Sequence, residues 1–343
     1  MRILIVKRDK LGDMLLTIPL IRHLKRSVAG SEVHVLASEY GGWVLRECPE
    51  VSRVWTYPRL RASALLNPAK LLRYLRTHRA VRRERFDVVI AAGGEFSRRA
   101  LDKALAAKGA RTIAYVPDAR AFAGRLSDPL PAPASGHEID RMLGLASPLG
   151  LGMPKEPAWP EFEAPARARE FARAWLAGRG LQERGYVVLG LGARRAARQP
   201  DPAQILRWTA HWHDRYGLAT VFMWTPGGGD SQYPGDDALA ASVLDSARGH
   251  RPDIHAFRGP VLEALGLIWL ARASVFPDSG LMHFAAASPG GVLGLFAGPD
   301  LGPAPDQWAP RGRNAAWLRA AAQIPDLPDA EFFAAVDRLL ERA

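Results

Sequence analysis

Short apolar runs and helical tracts alternate twice along this chain, once on each side of a proline-rich interval at 149–165. In the first half the runs fall at 3–6, 32–37, 51–57, 86–92 and 110–116. In the second they fall at 186–190, 219–224, 273–276 and 291–296. Runs such as Ile3-Leu4-Ile5-Val6 show no apolar–polar alternation, so both faces of each strand must be covered. Buried strands separated by helices define a parallel sheet with helices on both sides. The fold class is therefore α/β. The proline-rich interval divides it into domains at 1–155 and 156–325, with a closing segment at 326–343. The helix expected in that segment carries Phe332, Phe333, Val336, Leu339 and Leu340, an apolar stripe that must pack somewhere.

A chain of 343 residues can build two substantial cores, and 48% apolar with 24% charged residues is ordinary for a globular protein. Its one cysteine, Cys48, excludes an internal disulfide and a Cys-based zinc site and suits a reducing compartment. The first six residues read as a strand running straight into charges, not as a leader peptide, and no apolar stretch approaches 18 residues. The expectation is a cytoplasmic protein. Its net charge is +11, and the segment 59–125 alone holds 16 Lys or Arg against 5 Asp or Glu. Within it Lys70, Arg73, Arg76, Arg79 and Arg82 recur at every third position. On a helix they share a broad flank suited to anionic lipid or a phosphorylated glycolipid; the plainer reading is a solvated surface helix. A sequence pI near 10.2 also fits nucleic acid. Zinc-finger spacing, an RNP-like aromatic segment and a recognition-helix pair are all missing, so no nucleic-acid partner is expected.

Two segments have the character of sites. Near the carboxyl terminus, Asp278-Ser279-Gly280 opens directly into an apolar helix containing Leu281, Met282 and His283. Gly280 permits close backbone approach, and the first N–H groups of the helix can hold phosphate oxygens. Near the amino terminus, Gly12 and Asp13 lie between the first strand and a helix read over 14–26, at the strand end where open α/β sheets place ligands. Asp13 is either a helix cap or a carboxylate kept ionised by Lys7, Arg8 and Lys10, and an ionised Asp in a crevice can serve as a general base. Gly93 and Gly94 end another strand. A basic loop with Arg194, Arg195 and Arg198 follows the strand at 186–190, and its guanidinium groups can neutralise a diphosphate without a metal. Gly227-Gly228-Gly229-Asp230 lacks the Lys-Ser/Thr of a Walker loop, and the first turn lacks the Gly-x-Gly-x-x-Gly of dehydrogenases.

The pattern Lys7-Arg8-x3-Gly12-Asp13-x5-Pro19-x4-Leu24-Lys25 resembles the opening signature of the heptosyltransferase family, family 9 of the glycosyltransferases. The stretch 278–287, followed by Val292 to Pro299, resembles its nucleotide-sugar signature, and His137-x-x-Asp140-Arg141 resembles a further element. The resemblance spans nearly the whole chain. It implies a GT-B architecture, two Rossmann-like domains facing across a cleft, with the last helix crossing back onto the first domain. It implies transfer of heptose from ADP-heptose, with inversion, to an inner-core sugar of lipopolysaccharide, an anionic acceptor, at the cytoplasmic face of the inner membrane. Asp13 is then the base, and Arg198 falls nearest a lysine that the family places in this loop. Arg194 and Arg195 stand as substitutes for it. Ser279, Gly280, Leu281, Met282 and His283 surround the diphosphate, Asp278 orders the turn or contacts donor hydroxyls, and Asp230 meets the nucleoside. No tightly bound cofactor and no metal are expected. Pro200 stands where the family carries tryptophan, which leaves a different NDP-sugar, or a non-catalytic glycolipid-binding relative, as alternatives.

Overall fold

A computed structural model describes residues 1–8, 10–46, 48–59, 67–192, 195–227, 235–251 and 253–342. The chain divides into two compact units, Met1–Glu161 and Phe162–Ala343, and the change falls inside the proline-rich interval.

The first unit is a six-stranded, wholly parallel sheet. Its strands are β1 (Arg2–Val6), β2 (Glu32–Ser38), β3 (Arg53–Tyr57), β4 (Val88–Ala91), β5 (Arg111–Val116) and β6 (Asp128–Pro131), in the spatial order β3-β2-β1-β4-β5-β6. Its helices are α1 (Leu11–Leu15), α2 (Ile18–Ser27), α3 (Pro68–Arg83), α4 (Arg98–Ala107) and α5 (Glu138–Gly144). Leu4, Val6 and Val89 share a core with Val81 of α3 and Ala100, Leu101 and Ala104 of α4. Ile3 and Ile5, fully buried, point to the opposite side of the pleat, and α2 packs with α5. The helix read as one over 14–26 is two. Pro19 sits in the first turn of α2, where its missing N–H removes no helical bond, and a turn at Leu16–Thr17 precedes it.

The second unit repeats the plan. Strands β7 (Tyr186–Gly190), β8 (Ala219–Met223), β9 (Ile254–Phe257), β10 (Ala273–Pro277), β11 (Val292–Phe296) and β12 (Ala315–Arg319) are all parallel, ordered β12-β11-β10-β7-β8-β9. Counted from its own first strand this is the same order as in the first unit. Its helices are α6 (Ala166–Ala177), α7 (Pro202–Tyr216), α8 (Asp237–Ala247), α9 (Val261–Leu270), α10 (Gly280–Ala287), α11 (Pro305–Trp308) and α12 (Asp329–Arg342). The terminal helix α12, for which the resemblance implied a crossing to the first domain, lays its apolar stripe on the second unit. Phe332 stacks on Trp208 of α7 at 3.7 Å, and Val336 and Leu340 join Leu293 and Leu295 in the core. Asp337 meets His211 at 2.8 Å, and Arg272 donates to the Leu340 carbonyl.

In each sheet the chain reverses its winding direction between two neighbouring strands, β1 and β4 in the first and β7 and β10 in the second. A crevice opens beyond the carboxyl ends of such a pair. Both segments singled out in the sequence lie at these two places.

Candidate active site

At the first switch point β1 leads into α1. Gly12 and Asp13 stand inside α1, not in a loop before it, because the helix begins at Leu11. Asp13 is the third residue of that helix. Its carboxylate accepts from the Lys10 amide at 3.3 Å, a long bond, and its carbonyl accepts from the Thr17 hydroxyl at 2.9 Å. The side chain is half-buried. Lys7, read as one of the cations around Asp13, is 1% exposed, and its ammonium lies 4.0 Å from Glu138 and 3.8 Å from the Met142 sulfur.

Glu138 ties this region together. It is 4% exposed, begins α5, and accepts the Gly94 amide at 2.8 Å, so one carboxylate joins the ends of β1 and β4. A Cβ on Gly94 would fall 2.2 Å from that carboxylate, which is why glycine stands there. Next to it Arg141, also buried, donates to the Gly136 carbonyl at 2.9 Å, and the Tyr115 hydroxyl donates to the Arg141 carbonyl at 2.6 Å. Burial pushes the Tyr115 phenol up to about 12. The His137-x-x-Asp140-Arg141 stretch thus supports the switch point from below, a role that sequence spacing alone did not reveal. Glu138→Ala strips a carboxylate from a buried ammonium and from the Gly94 amide. It is expected to destabilise the first unit by about 3 kcal/mol, lowering its thermal midpoint by roughly 6–12 °C in calorimetry.

At the second switch point Asp278, Ser279 and Gly280 follow β10, and the basic loop follows β7. Arg198 ends a short 3-10 turn and forms an ion pair with the Asp278 carboxylate; the same terminal nitrogen lies 3.5 Å from the Asp278 carbonyl. Ser279 caps α10 with extended backbone, and its buried hydroxyl has no hydrogen-bond partner among the described residues. Gly192, at φ +23°, lets the two strand ends meet: a Cβ there would fall 2.7 Å from the Ser279 oxygen. The backbone amides of Gly280, Leu281 and Met282 begin α10, where helical geometry leaves N–H groups without helical partners. Met282 contributes through its backbone, since its side chain is fully buried with its sulfur over Gly294 of β11. His283 is 4% exposed, in the same buried stretch as Met282 and Phe284.

Arg195 is exposed, and its carbonyl accepts the Arg198 amide at 2.9 Å. Arg194 and Asp230 lie outside the described residues. Two acids beyond β8 escaped the sequence reading, though their place at a strand end is a usable signal. Asp236, bonded by Gln199 at 2.7 Å, is held above the usual carboxylate range by burial. Asp237 is held well below it, first by the Arg258 guanidinium and then by the Trp224 indole N–H. Among the described residues no group of three His, Cys, Asp or Glu side chains could hold a metal ion, and no helix is long and apolar enough to cross a membrane.

The second site therefore offers a guanidinium, a hydroxyl and a helix amino terminus at one strand end, all suited to phosphate oxygens. A family profile described as glycosyltransferase family 9 (heptosyltransferase) matches residues 74–330. Lipopolysaccharide heptosyltransferase 3 of Escherichia coli is 25% identical over 350 residues, covering 96% of each chain. The solved E. coli ADP-heptose LPS heptosyltransferase II superposes with a TM-score of 0.75 at 19% identity, covering 100% of this chain and 99% of that one. The glycosyltransferase family 9 structure from Veillonella parvula gives 0.81 at 16% identity, covering 100% and 98%. Two Rossmann-like units of this kind, each a wholly parallel sheet with flanking helices, give the chain the GT-B fold. More narrowly, the chain belongs to glycosyltransferase family 9, the heptosyltransferase family.

Proposed function

We propose that this enzyme transfers a heptose from ADP-heptose to an inner-core sugar of lipopolysaccharide, with inversion at the anomeric carbon. The observation that carries the reading is the Arg198–Asp278 pair beside the amino terminus of α10, at a switch point. The names of the relatives, one a lipopolysaccharide heptosyltransferase and one an ADP-heptose enzyme, support the substrate class.

In this scheme Asp13 accepts the proton of an acceptor hydroxyl as that oxygen attacks the anomeric carbon. The new C–O bond forms on the face opposite the departing diphosphate, and the old anomeric C–O bond breaks with its electrons going to ADP. Arg198, the Ser279 hydroxyl and the first amides of α10 take up the negative charge that develops on the leaving group. Asp278 holds Arg198 in place. The reaction is assigned to the cytoplasm, at the inner face of the membrane that anchors the acceptor. The replacement of tryptophan by Pro200 in the loop favours one second reading, a different NDP-sugar as donor.

The test is turnover with ADP-, UDP-, GDP- and dTDP-sugars on truncated inner-core lipopolysaccharide. Transfer from ADP-heptose, undiminished by EDTA, is the expected result. Transfer from another donor only would move the assignment to that sugar. Absence of transfer from any donor, with glycolipid binding retained, would leave a binding protein.

A further inference from the structure

Helix α3 carries two of its three leucines on the wrong side for a core helix. Its inward face is made by Tyr74, Thr77, His78 and Val81: Tyr74 stacks on His78 at 4.0 Å, Thr77 donates to the Thr56 carbonyl, and Val81 is the helix's buried residue. Leu72 and Leu75 instead face solvent, 44% and 40% exposed, although an apolar stripe normally turns inward. At 3.6 residues per turn Leu72, Arg76, Arg79 and Arg83 fall on one face, at i, i+4, i+7 and i+11, with Leu75 beside them. All three arginines are exposed. An exposed leucine pair framed by guanidinium groups is the composition of a helix that lies in a lipid interface, its leucines among acyl chains and its arginines at anionic headgroups.

The helix is also placed suitably. Arg73 in its second turn pairs with Glu39 at 3.1 Å, and Glu39 directly follows the last residue of β2. The leading end of α3 therefore lies at the carboxyl end of the first sheet, the end from which α1 and Asp13 also emerge.

We propose that the outer face of α3, through Leu72, Leu75, Arg76, Arg79 and Arg83, docks this protein on an anionic lipid bilayer. The inference deepens the functional reading, on which it rests for the idea that the acceptor is lipid-anchored. The experiment is co-sedimentation of the full chain, without donor, on vesicles of phosphatidylglycerol with phosphatidylethanolamine, and on phosphatidylcholine vesicles as control. Wild type is expected to bind the anionic vesicles and not the control. Arg76→Glu/Arg79→Glu/Arg83→Glu should weaken that binding roughly a hundredfold or more. Leu72→Ser/Leu75→Ser, which keeps every charge, should weaken it on the order of tenfold. Wild type that ignores anionic vesicles overturns the proposal. So does a leucine variant that binds them as wild type does, since that is adsorption of a basic protein to any polyanion; so does equal capture by single-stranded RNA with the leucines indifferent. Transfer to a water-soluble truncated acceptor is measured alongside and should be unchanged in both variants. Wild-type transfer without vesicle binding removes the docking face alone, and vesicle binding without transfer removes the functional reading alone.

Discussion

Asp13→Asn is expected to leave the protein folded and to lower the rate of transfer by roughly 10²–10⁴, the range assigned to a positioned general base. The substitution separates the two roles the residue can have. As a cap, Asp13 accepts from the Lys10 amide, and an asparagine carbonyl oxygen accepts the same bond. As a base it needs a lone pair that takes a proton, which an amide does not supply at neutral pH. The long 3.3 Å contact with Lys10 is weak even for a cap, so little stability depends on it. The thermal midpoint should therefore stay within about 2 °C of wild type, while kcat falls and the KM for donor changes little. A variant that keeps its kcat within about threefold would reduce Asp13 to a structural cap.

How much of this was legible in the sequence follows from burial. Inner strands such as Ile3–Val6 of β1 and Val292–Phe296 of β11 are covered on both faces, so they read as unbroken apolar runs. The three strands that the reading missed, β6, β9 and β12, are edge or near-edge strands with half-exposed side chains. β6 has two prolines in four residues, which only a strand edge tolerates; β9 reads Ile-His-Ala-Phe, and β12 leaves Trp317 45% exposed. Helix α4 was hidden for a different reason. Its basic first turn merged with the charged segment around it.

The site was legible where a turn and its helix are contiguous, as in 278–283, because cap, glycine and helix start sit within a few residues. It was not legible where long-range contacts decide the role of a side chain. Lys7 stands next to Arg8 in sequence, yet its ammonium is spent on Glu138, more than a hundred residues away, and on Met142. Nothing in the local pattern around Lys7 tells a solvated cation from one buried beneath a strand end. The same holds for Gln199 and Asp236, which meet only because β7 and β8 are neighbours in the sheet. Glycines offered a partial signal. Gly94 was read at a strand end and Gly192 was not singled out, yet at both a Cβ would strike a side chain of the opposing element.

Arg198→Ala is the second large effect expected, a fall of roughly 10²–10³ in kcat, of the size seen when one donor to a developing oxyanion is removed. Its physical basis is the way the guanidinium is held. The contacts to the Asp278 carboxylate and carbonyl both run from one terminal nitrogen, and a guanidinium has five N–H donors in a rigid plane. Pairing with Asp278 thus fixes the plane beside the α10 amino terminus without using all of its donors. Asp278→Asn keeps an acceptor at that position and should cost less than Arg198→Ala, by about tenfold, because it loosens the guanidinium without deleting it. Arg198→Lys restores the charge but not the fork, so it should recover part of the loss. Measured as kcat and KM for donor in the three variants, that order assigns Arg198 to the departing diphosphate. If Asp278→Asn proves as damaging as Arg198→Ala and lysine rescues nothing, the pair is a structural clasp across the ends of β7 and β10, and the leaving-group charge falls to the Ser279 hydroxyl and the helix amino terminus.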